Sequence, residues 1–369
     1  MNGSVVKKID SLQALRALAC LCVFLTHCQF PHVALWSVTV FLMLSGYVLT
    51  LSSLSKPAME SPTLKSAFRF SARKIGRLYA LHVITLFPYL VLELYKMRCG
   101  LSGTTIPGLG KSMVVYLLLI HSWIPDTQNI FPFNGVTWYL STISFSYFIF
   151  PFVFRRIKEK PNGRKAVMWL ITLVFLEFAV ASFHKPIGAL LSSLPFFPGS
   201  DTSLVWFFQK FPPFRALDFL IGCCLALIVR DYGEKLTKAG AWLLDIAAIV
   251  FFVFSVAVFR GHGPMSVVSF MRGVIFVPFA IAVIASFAIN KGLSPRIFTN
   301  RFTVFFGNIS AVFYMIHQCF TDYSFFILET FFQYSFLVDI AVTTVVDFVL
   351  SLLSSVLWQK LTGLKKSKA

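Results

Sequence analysis

Long apolar runs alternate with short polar segments from one end of the chain to the other. Each run has about 20 residues, the length at which an α-helix crosses the roughly 30 Å hydrocarbon core of a bilayer. The pattern predicts an all-α, polytopic integral membrane helical bundle, because a membrane barrel would show alternating segments of about 10 residues. Ten spans are predicted, at residues 12–30, 33–54, 75–95, 137–154, 166–183, 213–229, 241–259, 267–289, 303–323 and 334–358.

An eleventh apolar stretch, MVVYLLLIHSW at residues 113–123, is too short to cross comfortably. If it does not cross and the N-terminus is cytoplasmic, the inner segments hold 24 of the 33 Lys and Arg residues and the outer segments hold eight. If it crossed, the basic segment 155–165 would face outward and this asymmetry would fail. We therefore predict cytoplasmic termini and a short re-entrant or interfacial segment, whose backbone must be covered by protein or a water-filled cavity.

Composition supports a single membrane domain over residues 1–369 with no separate soluble domain. Hydrophobic residues make up 57% of the chain and charged residues 13%, about half the share of an ordinary soluble protein. The first run lacks a cleavage site and is predicted to be a retained span. The formal net charge of +18 follows from orientation and from anionic lipid headgroups, so no nucleic acid is needed as a partner. The seven cysteines form no CxxC pair and are predicted to be free thiols.

Polar residues within the predicted spans are the candidate chemistry. Arg16 and His27 are eleven residues apart, so they share one face of the first span at a separation of about 16 Å along its axis. This stripe suggests the wall of an internal channel, although Arg16 could instead snorkel to headgroups and His27 could bond a neighbouring carbonyl.

Two further groups of polar residues add to this stripe. Arg69, Arg73 and Arg77 recur at every fourth position with Lys74 beside them, which indicates a phosphate clamp or a solvated basic edge. His317 lies in an apolar context, where a structural hydrogen bond is the favoured interpretation. The histidines lack companion carboxylates at metal-ligand spacing, so no metal site is predicted. The GxSxG, Walker A and HExxH motifs do not occur in the sequence.

Six sequence blocks follow one another over nearly the whole chain. They are LQALRALACLCVFLTH (12–27), VFLMLSGYVLT (40–50), ARKIGRLYA (72–80), WYLSTISFSYFIFP (138–151), FRALDFLIG (214–222) and GNISAVFYMIH (307–317). In this order they resemble the acyltransferase 3 family of integral membrane acyltransferases. Three features depart from the family pattern: Gln13 replaces an aspartate, Ala80 replaces a proline, and the position of the family's acidic residue in the tryptophan block (138–151) falls at Ile143 or Ser144.

The resemblance implies acyl transfer in a bacterial inner membrane. The donor would be cytoplasmic acyl-CoA, most often acetyl-CoA, used as a co-substrate and not as a permanently bound cofactor. The acceptor would be a hydroxyl of a cell-surface carbohydrate or its lipid-linked glycan precursor. His27 would be the general base, and Arg16 would bind pantetheine or phosphate or polarise the oxyanion. The CoA phosphates would be bound by Arg69, Arg73, Lys74 and Arg77. The acceptor would be bound by Trp138, Ser141 and His317.

Two other classes of protein fit the same sequence. A flippase or exporter of glycolipid or another anion would also have ten spans, a basic inner vestibule and buried histidines. A scaffold without activity is suggested by the missing carboxylate of the tryptophan block. Release of free thiol from acyl-CoA in the presence of an acceptor separates the enzyme from both.

Overall fold

The computed structural model describes residues 9–30, 34, 36–55, 61–124, 133–193, 208–260, 273–332 and 336–363. Across these ranges the regular structure is helical. The first twelve α-helices of the described ranges are α1 (Asp10–His27), α2 (Ser37–Leu54), α3 (Leu64–Arg98), α4 (Ile106–Leu117), α5 (Trp138–Glu159), α6 (Gly163–Ser182), α7 (His184–Ser192), α8 (Pro212–Tyr232), α9 (Lys238–Arg260), α10 (Val277–Ile289), α11 (Leu293–Phe298) and α12 (Arg301–Ile327). The C-terminal helices α13 (Phe336–Val342) and α14 (Phe348–Leu361) are joined by the π-helical turn Thr343–Asp347.

Nine of the ten predicted spans have most of their described residues in a single helix, and the last, 334–358, runs through α13, the π-helical turn and α14, which confirms an all-α polytopic membrane protein. Residues 33, 35, 267–272, 334 and 335 of the predicted spans lie outside the described ranges. Within those ranges seven segments are both long and apolar enough to cross, while helices α1 and α12 are long enough but less apolar. Those seven are Ser37–Leu54, Leu64–Arg98, Gly135–Glu159, Gly163–Ser182, Phe208–Tyr232, Lys238–Val258 and Leu337–Leu361.

Helix α1 lies at the centre of the bundle between two hydrophobic cores. Leu12, Leu15 and Ala19 pack into one core with residues of α2, α8 and α10. Cys20 and Phe24 pack into the other with residues of α3, α5 and α12. A helix with neighbours on both sides does not face lipid, so its polar residues meet protein or an internal cavity.

Glycines let the central helices approach closely. A Cβ atom at Gly222 of α8 would collide with the backbone of Met43 in α2, and one at Gly46 of α2 would collide with the backbone of Phe219 in α8. A Cβ atom at Gly307 of α12 would collide with the carbonyl of Gln13 in α1. Small residues at helix crossings are typical of membrane bundles, where close backbone contact provides packing energy.

Gly307→Ala is expected to lower the free energy of unfolding by about 1–3 kcal/mol, because the added methyl group must push α1 away from α12. The measurement is the thermal unfolding midpoint in detergent. Gly110→Ala, where no atom lies within 4 Å of the added Cβ, is the matched control and should not lower the midpoint. Equal midpoints for the two variants would contradict this packing argument.

The short apolar stretch 113–123 does not continue as one helix. Helix α4 ends at Leu117, a left-handed residue follows at Leu119 (φ 55°), and a 3₁₀ turn covers His121–Trp123. Side chains of neighbouring helices satisfy the freed carbonyls. Tyr79 donates to the carbonyl of Leu117 at 2.9 Å, and Ser141 donates to that of Leu119. Packed helices thus satisfy two carbonyls of the irregular backbone, as a segment within a membrane would need.

Candidate active site

Two histidines from distant parts of the chain lie in direct contact. His27 is the last residue of α1, and His317 lies in α12. Nδ1 of His27 is 2.8 Å from Nε2 of His317, and the two rings stack with their centroids 5.0 Å apart. His317 is buried, whereas His27 is half-buried. The α1–α12 packing therefore joins imidazoles that are 290 residues apart in sequence.

The hydrogen bonds of the pair determine which nitrogens carry protons when both rings are neutral. Nδ1 of His317 is 3.2 Å from the carbonyl oxygen of Phe313, which can only accept, so this nitrogen carries the proton. Nε2 of His317 then accepts from the Nδ1–H of His27. The network assigns the free lone pair to Nε2 of His27, the nitrogen that lies outside the pair.

His27 lines a cavity of about 460 Å³, which we call the histidine cavity. Its wall combines apolar groups with a small number of polar ones, as in sites that bind small molecules. The lining residues are Val23, Thr26, His27, Ala34, Val38, Gly135, Val136, Trp138, Lys210, Tyr314 and Gln318.

Lys210 and Gln318 bring further polar groups to this cavity. The ammonium group of Lys210 is 5.9 Å from the centre of the Trp138 ring and interacts electrostatically with His27. The hydroxyl of Thr142 donates to the carbonyl of Lys210 at 2.9 Å and fixes its backbone. The side-chain oxygen of Gln318 accepts from the backbone N–H of Val136 at 2.8 Å. These bonds hold the wall in place before any substrate binds.

Arg16 lies in a second polar group further along α1. Its guanidinium interacts electrostatically with the phenol groups of Tyr139 and Tyr147 in α5. Ser45 of α2 lies 3.3 Å from the Tyr139 hydroxyl and donates to the carbonyl of Phe41 at 2.8 Å. Arg16, Ser45 and the two tyrosines are only half-buried, although they belong to the central helices. Accessible surface on inward-facing side chains indicates space inside the bundle.

Aromatic rings connect the two polar groups. The ring of Tyr139 lies 5.5 Å from that of Tyr314, and Tyr314 lies 5.9 Å from His317. Tyr314 also lines the histidine cavity. A line of aromatic and polar side chains therefore runs from Arg16 to the histidine pair over the roughly 16 Å that separate Arg16 and His27 along α1.

The predicted phosphate clamp lies on a different surface. Arg69, Arg73, Lys74 and Arg77 are exposed on α3. Arg69 and Arg73 lie about 160° around the helix from Ser71, which packs against α5, while Arg77 lies about 120° and Lys74 about 60° from it. Nε of Arg73 donates to the carbonyl of Arg69 at 3.4 Å, and the Lys74 ammonium is 5.5 Å from the centre of the Phe70 ring. Among the described residues that line the histidine cavity, none of these four is found.

The residues of the tryptophan block separate into different environments. Trp138 lines the histidine cavity, but Ser141 is buried and its hydroxyl bonds the carbonyl of Leu119. Ile143 is buried in the core, and Ser144 lines a second cavity between α3 and α5. In the family that the sequence resembles, one of these two positions holds an acidic residue. Here neither position supplies a carboxylate to His27.

Sequence reasoning missed Lys210, Gln318, Tyr139, Tyr147 and Tyr314. Gln318 directly follows His317, and Tyr314 precedes it by one helical turn, so the face of α12 gave a usable signal. Lys210 gave none, because it lies outside the predicted spans, between 166–183 and 213–229.

Comparison with known proteins gives a family and one relative. The family profile described as an acyltransferase domain matches residues 9–358. Acyltransferase MdmB of Streptomyces mycarofaciens is 29% identical over 248 residues. The aligned region covers 61% of this chain and 58% of that relative, so the chain spans less than two thirds of its length. No solved structure matches the chain.

Proposed function

Because the chain belongs to the acyltransferase 3 family, we propose that it transfers an acyl group from cytoplasmic acyl-CoA to a hydroxyl of a cell-surface carbohydrate or lipid-linked glycan. Acetyl-CoA is the proposed donor, and the reaction is an O-acylation. The family supports acyl transfer over the alternative of a transporter without that activity.

The contact between His27 and His317 carries the proposal. A sugar hydroxyl is a poor nucleophile at neutral pH and needs a base within hydrogen-bond reach. The pair leaves the lone pair of His27 on Nε2, and His27 lines a cavity of about 460 Å³. An imidazole with one nitrogen held by a partner and the other free has the arrangement that general-base catalysis requires.

The proposed reaction proceeds by direct attack. Nε2 of His27 takes the proton of the acceptor hydroxyl as its oxygen attacks the thioester carbonyl. The tetrahedral intermediate collapses, the carbon–sulfur bond breaks, and the new ester forms. The CoA thiolate then takes the proton from Nε2 of His27, which returns the base to its starting state. His317 accepts from the Nδ1–H of His27 throughout and holds the ring orientation.

Arg16 is proposed to hold the donor. It lies about 16 Å along α1 from His27, which is too far for its guanidinium to stabilise an oxyanion at the histidine. A phosphate or the amide groups of pantetheine would meet Arg16 and the tyrosines beside it, with the long pantetheine arm following the aromatic line to the histidine cavity. Arg69, Arg73, Lys74 and Arg77 remain the proposed contacts for the outer phosphates of CoA, on the exposed start of α3.

The proposed location is a bacterial inner membrane with both termini cytoplasmic. The distribution of Lys and Arg supports this orientation, since 24 of 33 lie in the segments assigned to the inner side. The donor would then approach from the basic side, and the acceptor from the side of His27 and Lys210.

Purified protein incubated with acetyl-CoA and an envelope glycan extract tests the proposed function. We expect release of free CoA thiol that depends on the extract, followed by mass spectrometry showing one added acyl mass on a glycan. The matched control is the glycan extract of cells that lack the gene, measured without added protein, in which that mass should be absent. Glycans of equal mass with and without the gene would refute carbohydrate acylation.

We propose that the ammonium group of Lys210, in the cavity wall, stabilises the negative charge that develops on the thioester oxygen. Lys210→Met is therefore expected to lower kcat about tenfold, which corresponds to the weaker hydrogen bonds made by charged groups. Lys210→Arg, which keeps the charge, should recover most of this loss. Lys185→Met removes an exposed lysine of α7 and should leave kcat unchanged. An unchanged kcat in Lys210→Met would remove this assignment.

A further inference from the structure

A separate cavity of about 560 Å³ lies between α5, α6 and α8, and we call it the basic cavity. We propose that it binds one anionic phospholipid, with the phosphate at its basic rim and an acyl chain on its apolar floor. The lining residues are Val153, Arg156, Ile157, Glu159, Lys160, Asn162, Lys165, Ala166, Trp169, Leu173, Leu220, Cys223, Cys224 and Leu227.

The charges of the rim favour an anion. Arg156, Lys160 and Lys165 are exposed at the mouth of the cavity. The carboxylate of Glu159 also lines it but pairs with Arg155 at 3.5 Å. The rim therefore carries a surplus of positive charge, and a guanidinium with two lysines is the chemistry that binds a phosphate group.

The floor favours a hydrocarbon chain. Leucines from α6 and α8 line it beside Trp169 and the half-buried Cys224. A ligand that fills both parts must be amphiphilic, with an anionic head and an apolar tail. Basic cavities between membrane helices, near loops rich in Lys and Arg, are typical sites for anionic lipid headgroups.

Hydrogen bonds hold the rim in place without a ligand. The backbone N–H of Gly163 donates to Asp231 at 2.7 Å, and Arg230 donates to the carbonyl of Pro161 at 3.3 Å. The loop between α5 and α6 is thereby attached to the end of α8. A preformed site loses less conformational entropy on binding than a flexible loop would.

This lipid site is distinct from the histidine cavity. The two cavities share no lining residue. Trp138 and Arg156 lie at opposite ends of α5, about 27 Å apart along the helix. The proposal therefore does not depend on the acyl-transfer mechanism.

Quenching of Trp169 fluorescence by brominated lipid tests the proposal. The signal of Trp169 is the difference between the full-length protein and its Trp169→Phe variant, both in phosphatidylcholine bilayers. We expect brominated phosphatidylglycerol to quench this signal at lower mole fraction than brominated phosphatidylcholine. Each of Arg156→Gln, Lys160→Gln and Lys165→Gln should raise the half-maximal mole fraction about fivefold, from roughly 1 kcal/mol for each basic residue.

The triple variant Lys238→Gln/Arg296→Gln/Arg301→Gln is the control for a loss of basic charge away from the cavity. It removes three exposed cations, at the start of α9, in α11 and at the start of α12, where each rim variant removes one, and should keep the preference for phosphatidylglycerol. Equal quenching by the two brominated lipids would overturn the proposal, and so would loss of the preference in the control. Relief of quenching by added acetyl-CoA would identify the rim as a nucleotide site instead.

Discussion

Replacing His27 by alanine is expected to lower kcat for acyl transfer by about 10²–10⁴-fold, the usual contribution of a general base. The side chain lies at the end of α1 and is only half-buried, so the loss should occur without loss of the fold. The measurement is CoA thiol release at saturating donor and acceptor. Binding of the donor should change little, because the proposed CoA contacts lie elsewhere.

His184→Gln is the matched control for the His27 substitution. His184 is a buried histidine of α7 whose Nδ1 bonds the carbonyl of Ala181, and it does not line the histidine cavity. Activity of this variant should stay near that of the unmodified protein at equal membrane insertion. If His27→Ala kept activity within about tenfold, another group would be the base. Donor binding without turnover in the unmodified protein would instead support the scaffold alternative.

Replacing His317 by alanine is expected to lower kcat by about 10²-fold with little change in KM, comparable with the loss of a partner that orients a functional histidine. His317 acts as a positioning residue, since its Nε2 accepts from His27 and its Nδ1 donates to Phe313. Without it, the Nδ1–H of His27 loses its acceptor, and the proton can move to the nitrogen that must act as base.

His317→Gln distinguishes positioning from a merely structural role. A glutamine oxygen near the place of Nε2 could accept from His27, so we expect this variant to recover part of the kcat that alanine loses. The matched polar substitution in the same helix is Ser310→Ala, which removes a hydroxyl bonded to the carbonyl of Gly307. Equal losses of kcat in the glutamine and alanine variants of His317, or parallel losses in thermal stability, would contradict the positioning role.

The helices could be predicted from the sequence with little ambiguity. Apolar runs of membrane length leave a chain few alternatives, because backbone groups in hydrocarbon must bond within the segment. Length and charge distribution indicated that residues 113–123 do not cross as a span. The break near Leu119 and its stabilisation by Tyr79 and Ser141 needed the packed helices. The crossings at Gly46, Gly222 and Gly307 also needed coordinates, since the sequence does not distinguish them from glycines such as Gly76 and Gly110, which have no atom within 4 Å of an added Cβ.

The candidate site was likewise predictable only in part from the sequence. The sequence alone determined that Arg16 and His27 share one face of α1, because helical periodicity fixes neighbours within a helix, and that Trp138 begins a block of polar and aromatic residues. Only the tertiary structure decided that His317 pairs with His27, that Lys210 enters the cavity, and that Ser141 bonds backbone instead. These contacts join residues far apart in sequence, and their geometry depends on how whole helices pack.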